Sequence, residues 1–108
     1  MIETIGTILG GGVQAISGST TVGANVTFCR VTANANITLP APTEGRRVLF
    51  KKATVLLLPS VVLVRAGGEN IENAASNYAV TVFNTANLCA LQMRADGTNW
   101  WIESLSLA

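Results

Sequence analysis

The sequence predicts an all-β fold, a compact antiparallel β-sandwich or barrel-like module. Short runs of alternating apolar and polar residues recur along the chain, and turn-forming Gly, Pro and Asn separate them at roughly the 8–12-residue spacing of such folds. No segment has the 3.6-residue periodicity of an amphipathic helix. At 108 residues the chain is one domain with room for a core.

The clearest element is a β-hairpin over 91–102. Asp96-Gly97 is a preferred turn dipeptide, because Gly accepts positive φ at no steric cost and Asp tolerates it. Apolar residues alternate with polar ones on both sides of the turn, which places Leu91 and Met93 on one face. Trp100 and Trp101 must then point to opposite faces of their strand, so at most one of them belongs to the core.

The remaining elements are assigned to a domain over 24–108. A strand is predicted around 26–31, and a short strand over 37–39 ends at the prolines that follow it. A strand follows over 46–53, and residues 54–64 form either two strands or one bulged strand. Gly67-Gly68 predicts a turn before the irregular stretch 69–77, which includes at most one helical turn, and a strand over 78–83 leads to the hairpin.

Residues 1–23 predict an N-terminal extended arm. This stretch contains six of the ten glycines, which excludes a helix, yet it is too apolar for a free linker. We expect its spaced apolar residues to lie against a neighbouring molecule. The alternative is an ordinary first strand of the same domain followed by a glycine-rich turn.

Composition predicts burial between subunits. Apolar residues make up 49% of the chain and charged residues only 12%, which favours a homotrimer over a monomer. The longest apolar run, 53–64, is too short to span a bilayer, and the N-terminus does not have the pattern of a signal peptide. Synthesis in the cytoplasm and reduced, buried Cys29 and Cys89 are therefore expected.

The charge pattern argues against a nucleic-acid partner. The net charge is +1, and Arg47 and Lys51 face one side of their predicted strand while Arg46 and Lys52 face the other. A single phosphate-binding stripe is therefore not expected, and neither is a membrane partner.

Catalytic chemistry is not predicted. The chain has no histidine, so the commonest general base and metal ligand is missing, and no residue is available to activate either cysteine. The oxygen-bearing cluster over 67–73 has neither the count nor the spacing of a calcium loop and is interpreted as a polar turn. We expect a protein that is not an enzyme and has no metal, no cofactor and no small-molecule substrate.

Several short motifs, in this order and spacing, resemble a β-rich module common in tail fibres, appendages and capsid decoration proteins of tailed bacteriophages. The resemblance spans about two thirds of the chain, residues 35–103, and implies a trimeric, non-catalytic all-β module. The motifs are Ile37-Thr38-Leu39-Pro40, Gly45-Arg46, Phe50-Lys51-Lys52, Gly67-Gly68-Glu69-Asn70-Ile71, Asn73-Ala74, Leu91-Gln92 and Asp96-Gly97-Thr98-Asn99-Trp100-Trp101-Ile102.

One segment departs from that pattern. Where the family has a polar turn, this chain has an apolar run over 53–62 that includes Leu56, Leu57 and Leu58. Alternation allows one core to bury Leu56 and Leu58 but leaves Leu57 facing away, so Leu57 needs a second apolar surface.

The resemblance, together with the short chain, its initial methionine and the missing coiled-coil or repeat shaft, predicts a capsid decoration (cement) protein. Its expected partners are two further copies of itself and the major capsid protein, on the capsid surface of the virion. The alternative is a tail-fibre or receptor-binding module whose exposed aromatics, such as Trp101 and Tyr78, contact host glycans. The candidate interface residues are Ile5, Ile8, Leu9, Val13, Leu57 and Trp101.

Overall fold

A computed structural model describes residues 12–53, 60–81 and 89–107, with residues 106 and 107 described by their backbone alone. Among these residues there is no α-helix, and the all-β prediction is confirmed. The strands are β1 (Gly12–Ile16), β2 (Thr20–Thr21), β3 (Val26–Val31), β4 (Ala35–Thr38), β5 (Arg47–Lys52), β6 (Val61–Val64), β7 (Tyr78–Ala79), β8 (Cys89–Ala95) and β9 (Trp100–Leu107).

The strands form two mixed sheets that do not close into a barrel. The larger sheet has the order β1-β3-β5-β8-β9, and the smaller has the order β2-β4-β6-β7. The expectation of an antiparallel fold is wrong for the first half of the chain. β1, β3 and β5 pair in parallel, as do β2, β4 and β6, whereas β7, β8 and β9 pair antiparallel with their neighbours.

The parallel pairing arises because the chain passes from one sheet to the other after each strand from β1 to β5. Every second strand therefore returns to the same sheet in the same direction and lies beside its predecessor. Backbone hydrogen bonds continue past the strand ends. The N–H of Thr32 donates to the carbonyl of Ile16 (2.9 Å), and that of Ala53 donates to Val31 (2.7 Å).

Residues 12–23 belong to this winding. β1 pairs with β3 and β2 pairs with β4, and both Ile16 and Val22 are buried in the core. The structure therefore gives no support to an extended arm over residues 12–23, and this part of the stretch agrees with the alternative of a first strand within the domain. Residues 1–11 lie outside the described residues.

The two sheets share one hydrophobic core. Val31 and Phe50 reach it from the larger sheet, and Ile37 and Leu63 reach it from the smaller one. A Cα radius of gyration of 13.4 Å agrees with the about 13 Å expected for a compact domain of this length. The described residues include no helix of the length and apolar character needed to cross a membrane.

The predicted hairpin is present as β8 and β9. Gly97 has φ of +96°, and the Asp96 carboxylate accepts hydrogen bonds from the backbone N–H groups of Thr98 (2.9 Å) and Asn99 (2.8 Å). These bonds explain why an Asp-Gly pair favours a turn here. The register shifts between Gln92 and Met93, so β9 carries a bulge at this point.

The polar stretch 66–74 is an irregular loop held to the hairpin. The backbone N–H of Asn70 donates to Asn99 Oδ1 (2.9 Å), and Glu72 Oε2 accepts from the N–H of Ile102 (3.0 Å). Glu69 caps the N–H groups of Ala66 and Gly67, each at 2.8 Å. These carboxylates serve the backbone of the loop and the hairpin, which agrees with the interpretation as a polar turn.

Candidate functional site

The outer face of the five-stranded sheet is the most distinctive surface among the described residues. On β3 and β5, the core side is formed by Cys29, Val48 and Phe50, so the residues between them point outward. Register places three outward aliphatic and aromatic side chains in line across adjacent strands, namely Val13, Phe28 and Leu49. We call these three residues the apolar row.

The apolar row is accessible to a partner. Val13 is 68% exposed, and Phe28 and Leu49 are half-buried. Adjacent strands lie about 4.8 Å apart, so the row extends about 10 Å across the sheet. Burying each such side chain would contribute roughly 1.5–3 kcal/mol, so the row is a candidate contact surface.

Basic side chains border the row on both sides. Arg30 lies beside Lys51 in the register of β3 and β5, and Arg47 lies beside Arg94 in that of β5 and β8. Sequence analysis predicted that Arg47 and Lys51 share a face, and the structure confirms it because both point outward while Lys52 is buried. The face thus combines an apolar centre with cationic borders.

Glu103 organises the charges at the β9 edge. Its carboxylate accepts from Arg47 Nε and Nη2, both at 2.9 Å, and from Gln92 Nε2 at 2.8 Å. Arg94 Nη1 lies 3.5 Å from the second oxygen of the same carboxylate. The hydrogen bonds from Arg47 and Gln92, with the positive charge of both arginines, hold the pKa of Glu103 at about 2 instead of the ordinary 4.5.

Trp101 stands at this edge, directly across the β8–β9 pair from Arg94. Its side chain is 36% exposed, and its indole Nε1–H donates to Asp96 Oδ2 at 2.8 Å. Hydrogen bonds from Asn99, from the Trp101 indole and from Thr98 lower the pKa of Asp96, so this carboxylate is ionised at neutral pH. The turn therefore fixes the orientation of the exposed ring.

A cavity of about 230 Å³ lies against the ring. Its lining consists of Arg94, Ala95, Asp96, Trp101 and Glu103, and we call it the Trp101 cavity. Tyr78, the other aromatic considered for glycan contact, lies on β7 in the smaller sheet, packs against the core and does not line this cavity.

Among the described residues, the core holds three ionisable groups, of which sequence analysis did not single out Lys52 as buried. Lys52 is fully buried at the end of β5. It lies on the side of the strand opposite Lys51, as alternation predicted, and that side faces the core. Both cysteines are buried, reduced thiols, as predicted, and β5 lies between their strands. Burial raises the pKa of the Cys29 thiol to about 11 against the opposing charge of Arg46, and burial also raises the pKa of Cys89. Both thiols therefore stay protonated at neutral pH.

Of the six candidate interface residues, two lie among the residues that the structure describes. Val13 and Trp101 both lie on strands of the larger sheet, but β1 and β9 are its opposite edges, so the two residues are not neighbours. Ile5, Ile8, Leu9 and Leu57 lie outside the described residues. The structure adds Phe28, Leu49 and Arg94, which alternation could have assigned to outer faces but could not have aligned, because that alignment depends on the register between strands.

Within the described ranges, no group of three or more Cys, Asp and Glu residues is arranged to hold a metal ion. A scan against protein-family models found no match, and a search of curated proteins found no significant similarity.

Proposed function

We propose that this protein is a bacteriophage virion structural protein, a capsid decoration protein that binds the lattice of the major capsid protein as a homotrimer. The observation that carries the proposal is the apolar row on the outer face of the five-stranded sheet, with Val13 68% exposed. An exposed apolar side chain on a sheet face is stabilised by burial against another protein surface. The motif order described above supports the virion assignment, and the apolar composition supports the trimer.

The proposed interface is the apolar row with its cationic borders. Closed cyclic symmetry is the usual arrangement of identical subunits, and a threefold ring joins two different patches of each chain. The apolar row supplies one patch, and Arg30 and Lys51 beside it select a partner surface that carries acidic groups.

The first experiment measures oligomeric state. Light scattering of the purified protein at micromolar concentration is expected to give three times the mass of the chain. Val13→Asp places a carboxylate in the apolar row and is expected to dissociate the trimer, since an interface that buries an unpaired charge loses several kcal/mol.

The matched control is Ala79→Asp. Ala79, like Val13, is an exposed residue on an edge strand, but it lies on β7 of the smaller sheet. Ala79→Asp is expected to keep the trimer. A monomeric wild-type protein, or dissociation by both substitutions alike, would contradict the proposed interface.

The second experiment tests the virion assignment. The purified protein is added to particles that lack it, and electron microscopy determines where it binds. Density at regular positions on the capsid lattice is the expected result. Density on the tail would instead assign the protein to a fibre or receptor-binding module.

A further inference from the structure

We propose that the Trp101 cavity receives the guanidinium of Arg30 from a second copy of this chain. The contact rests on the proposed trimer and names the two patches that a threefold ring joins, the cationic border of the apolar row on one chain and the Trp101 cavity on the next. It follows from a carboxylate beside the cavity that has no cationic partner among the described residues, and from a cation on the same face that has no carboxylate.

The two carboxylates that line the cavity differ in how far their charge is compensated. Glu103 accepts hydrogen bonds from Arg47 and lies 3.5 Å from Arg94, so both arginines already neutralise it. Asp96 forms no ion pair with any described residue, and its hydrogen bonds come from neutral donors, the backbone N–H groups of the turn and the Trp101 indole. The turn end of the cavity therefore carries a negative charge that a ligand can compensate.

The aromatic wall of the cavity favours a cationic group that is planar. The Trp101 ring is 36% exposed, and its Nε1–H donates to Asp96 Oδ2 at 2.8 Å. Oδ2 retains a second lone pair beside the edge of the ring, so a guanidinium stacked on the ring can also donate to this oxygen. Cation–π attraction and a charge-assisted hydrogen bond then act on the same group. Arginine suits such a site better than lysine does, because its guanidinium is planar and stacks on aromatic faces.

Arg30 has the complementary features. It is exposed on β3, and no described residue accepts a hydrogen bond from its side chain or forms an ion pair with it. Arg30 does not reach the cavity of its own chain, because β5 and β8 separate β3 from β9 and three strand spacings amount to about 14 Å. Phe28 lies two residues away on the same face, so a neighbour that binds Arg30 places its hairpin against the apolar row.

A double-mutant cycle tests the contact, with dissociation of the trimer followed by light scattering on dilution. Arg30→Gln and Asp96→Asn are each expected to weaken association about tenfold for every contact in the ring. The double variant is expected to lie within about twofold of either single variant, because both substitutions remove the same contact.

The Asp96→Asn substitution retains the turn. Asn-Gly is also a preferred turn dipeptide, and the amide oxygen accepts the same backbone hydrogen bonds. The indole N–H signal of the fully buried Trp100 in nitrogen-proton correlation spectra is expected to stay at its folded position in every variant.

Lys51→Gln is the matched control. Lys51 lies beside Arg30 in the register of β3 and β5 and carries the same charge, but it is half-buried and has a compact ammonium group. Lys51→Gln is expected to change association by the same factor in the wild-type chain and in Asp96→Asn.

Three outcomes would overturn the proposal. A trimer in which Arg30→Gln has the same effect with and without Asp96→Asn would show that the two residues do not touch. A trimer in which Lys51 is coupled to Asp96 and Arg30 is not would assign the cavity to the other cation. Both results leave the trimer in place, whereas a wild-type chain that has the mass of a monomer would overturn this contact together with the proposed function.

Discussion

Two adjacent tryptophans occupy opposite environments at the start of β9. Trp100 is fully buried and its indole N–H donates to the carbonyl of Pro40 at 3.0 Å, so the ring joins the hairpin to the proline-containing connection between the sheets. Trp101 is 36% exposed and its indole N–H donates to a side chain of the turn. The sequence predicted that at most one tryptophan belongs to the core, and the structure identifies Trp100.

Alanine substitution should separate these roles. Trp100→Ala removes a fully buried ring and the hydrogen bond to the part-buried carbonyl of Pro40, so we expect the free energy of unfolding to fall by about 3–5 kcal/mol. Trp101→Ala should cost under about 1 kcal/mol, because an exposed residue leaves no cavity. Urea unfolding of both variants measures the difference, and similar losses would show that Trp101 also supports the core.

Glu103 predicts an acid-dependent contribution to stability. The folded-state pKa of Glu103 is about 2, below its ordinary 4.5, because Arg47 and Gln92 hydrogen-bond its ionised form. The folded state therefore binds fewer protons than the unfolded state between these values. The stabilisation is fully present above pH of about 4.5 and is lost as the pH falls to about 2.

Melting curves of the wild-type protein and Glu103→Gln across this range test the assignment. The wild-type protein should have the higher melting temperature at neutral pH, and the gap should close in acid. Glu44→Gln, at an exposed glutamate outside this network, is the control. A gap that persists unchanged at pH of about 2 would mean that the network does not depend on the Glu103 charge.

The cysteines should be inert in the folded protein. Burial raises the pKa of the Cys29 thiol from 9.0 to about 11, and the thiolate is the reactive species. A thiol reagent at mildly alkaline pH should label neither Cys29 nor Cys89 in the native protein but both after unfolding in denaturant. Fast labelling of the native protein, or no labelling after unfolding, would contradict the assignment of both cysteines as buried, reduced thiols.

At the scale of elements, the sequence predicted the hairpin, which depends on local signals. It did not predict the parallel strand pairing, which depends on residues far apart in the chain. An Asp-Gly turn between alternating strands lies within a dozen residues, and the apolar pattern was sufficient to place Leu91 and Met93 on one face, which the structure buries. Parallel pairing of β1, β3 and β5 depends on where the chain returns after crossing to the other sheet. Alternation is identical in parallel and antiparallel strands, so the sequence did not distinguish them.

The winding makes a prediction about truncation. A chain that lacks residues 1–11 keeps every described contact and should unfold cooperatively. A chain that lacks residues 1–23 loses β1 and β2, together with the buried Ile16 and Val22, and exposes the edge of β3. We expect this shorter chain to aggregate or to lose its cooperative transition in circular dichroism. Equal stability of both chains would restore the arm interpretation for residues 12–23.

At the scale of the whole molecule, the larger sheet combines two candidate surfaces on its outer face. The apolar row lies toward β1 and the Trp101 cavity lies at β9, with Arg47 and Arg94 in between. Composition predicted that apolar surface remained to be buried, and Val13 and Trp101 were named as candidates. The alignment of Val13 with Phe28 and Leu49 required the register, which the sequence alone does not fix.

A homotrimer should show a melting temperature that rises with protein concentration, because mass action favours the assembled state. If three unfolded chains form from one folded trimer, a tenfold increase in concentration stabilises each chain by about 0.9 kcal/mol, since two thirds of the 1.4 kcal/mol per decade falls on each chain. For a domain of this size that corresponds to a rise of about 4–7 °C.

Calorimetry of the wild-type protein over two decades of concentration measures the slope of melting temperature against concentration. Val13→Asp should flatten the slope without loss of the transition, because its carboxylate is solvated on the free sheet face, and Ala79→Asp should leave the slope unchanged. A wild-type melting temperature that is independent of concentration would mean that the apolar row is not an interface between copies of this chain, and the capsid would then be the surface to test against it.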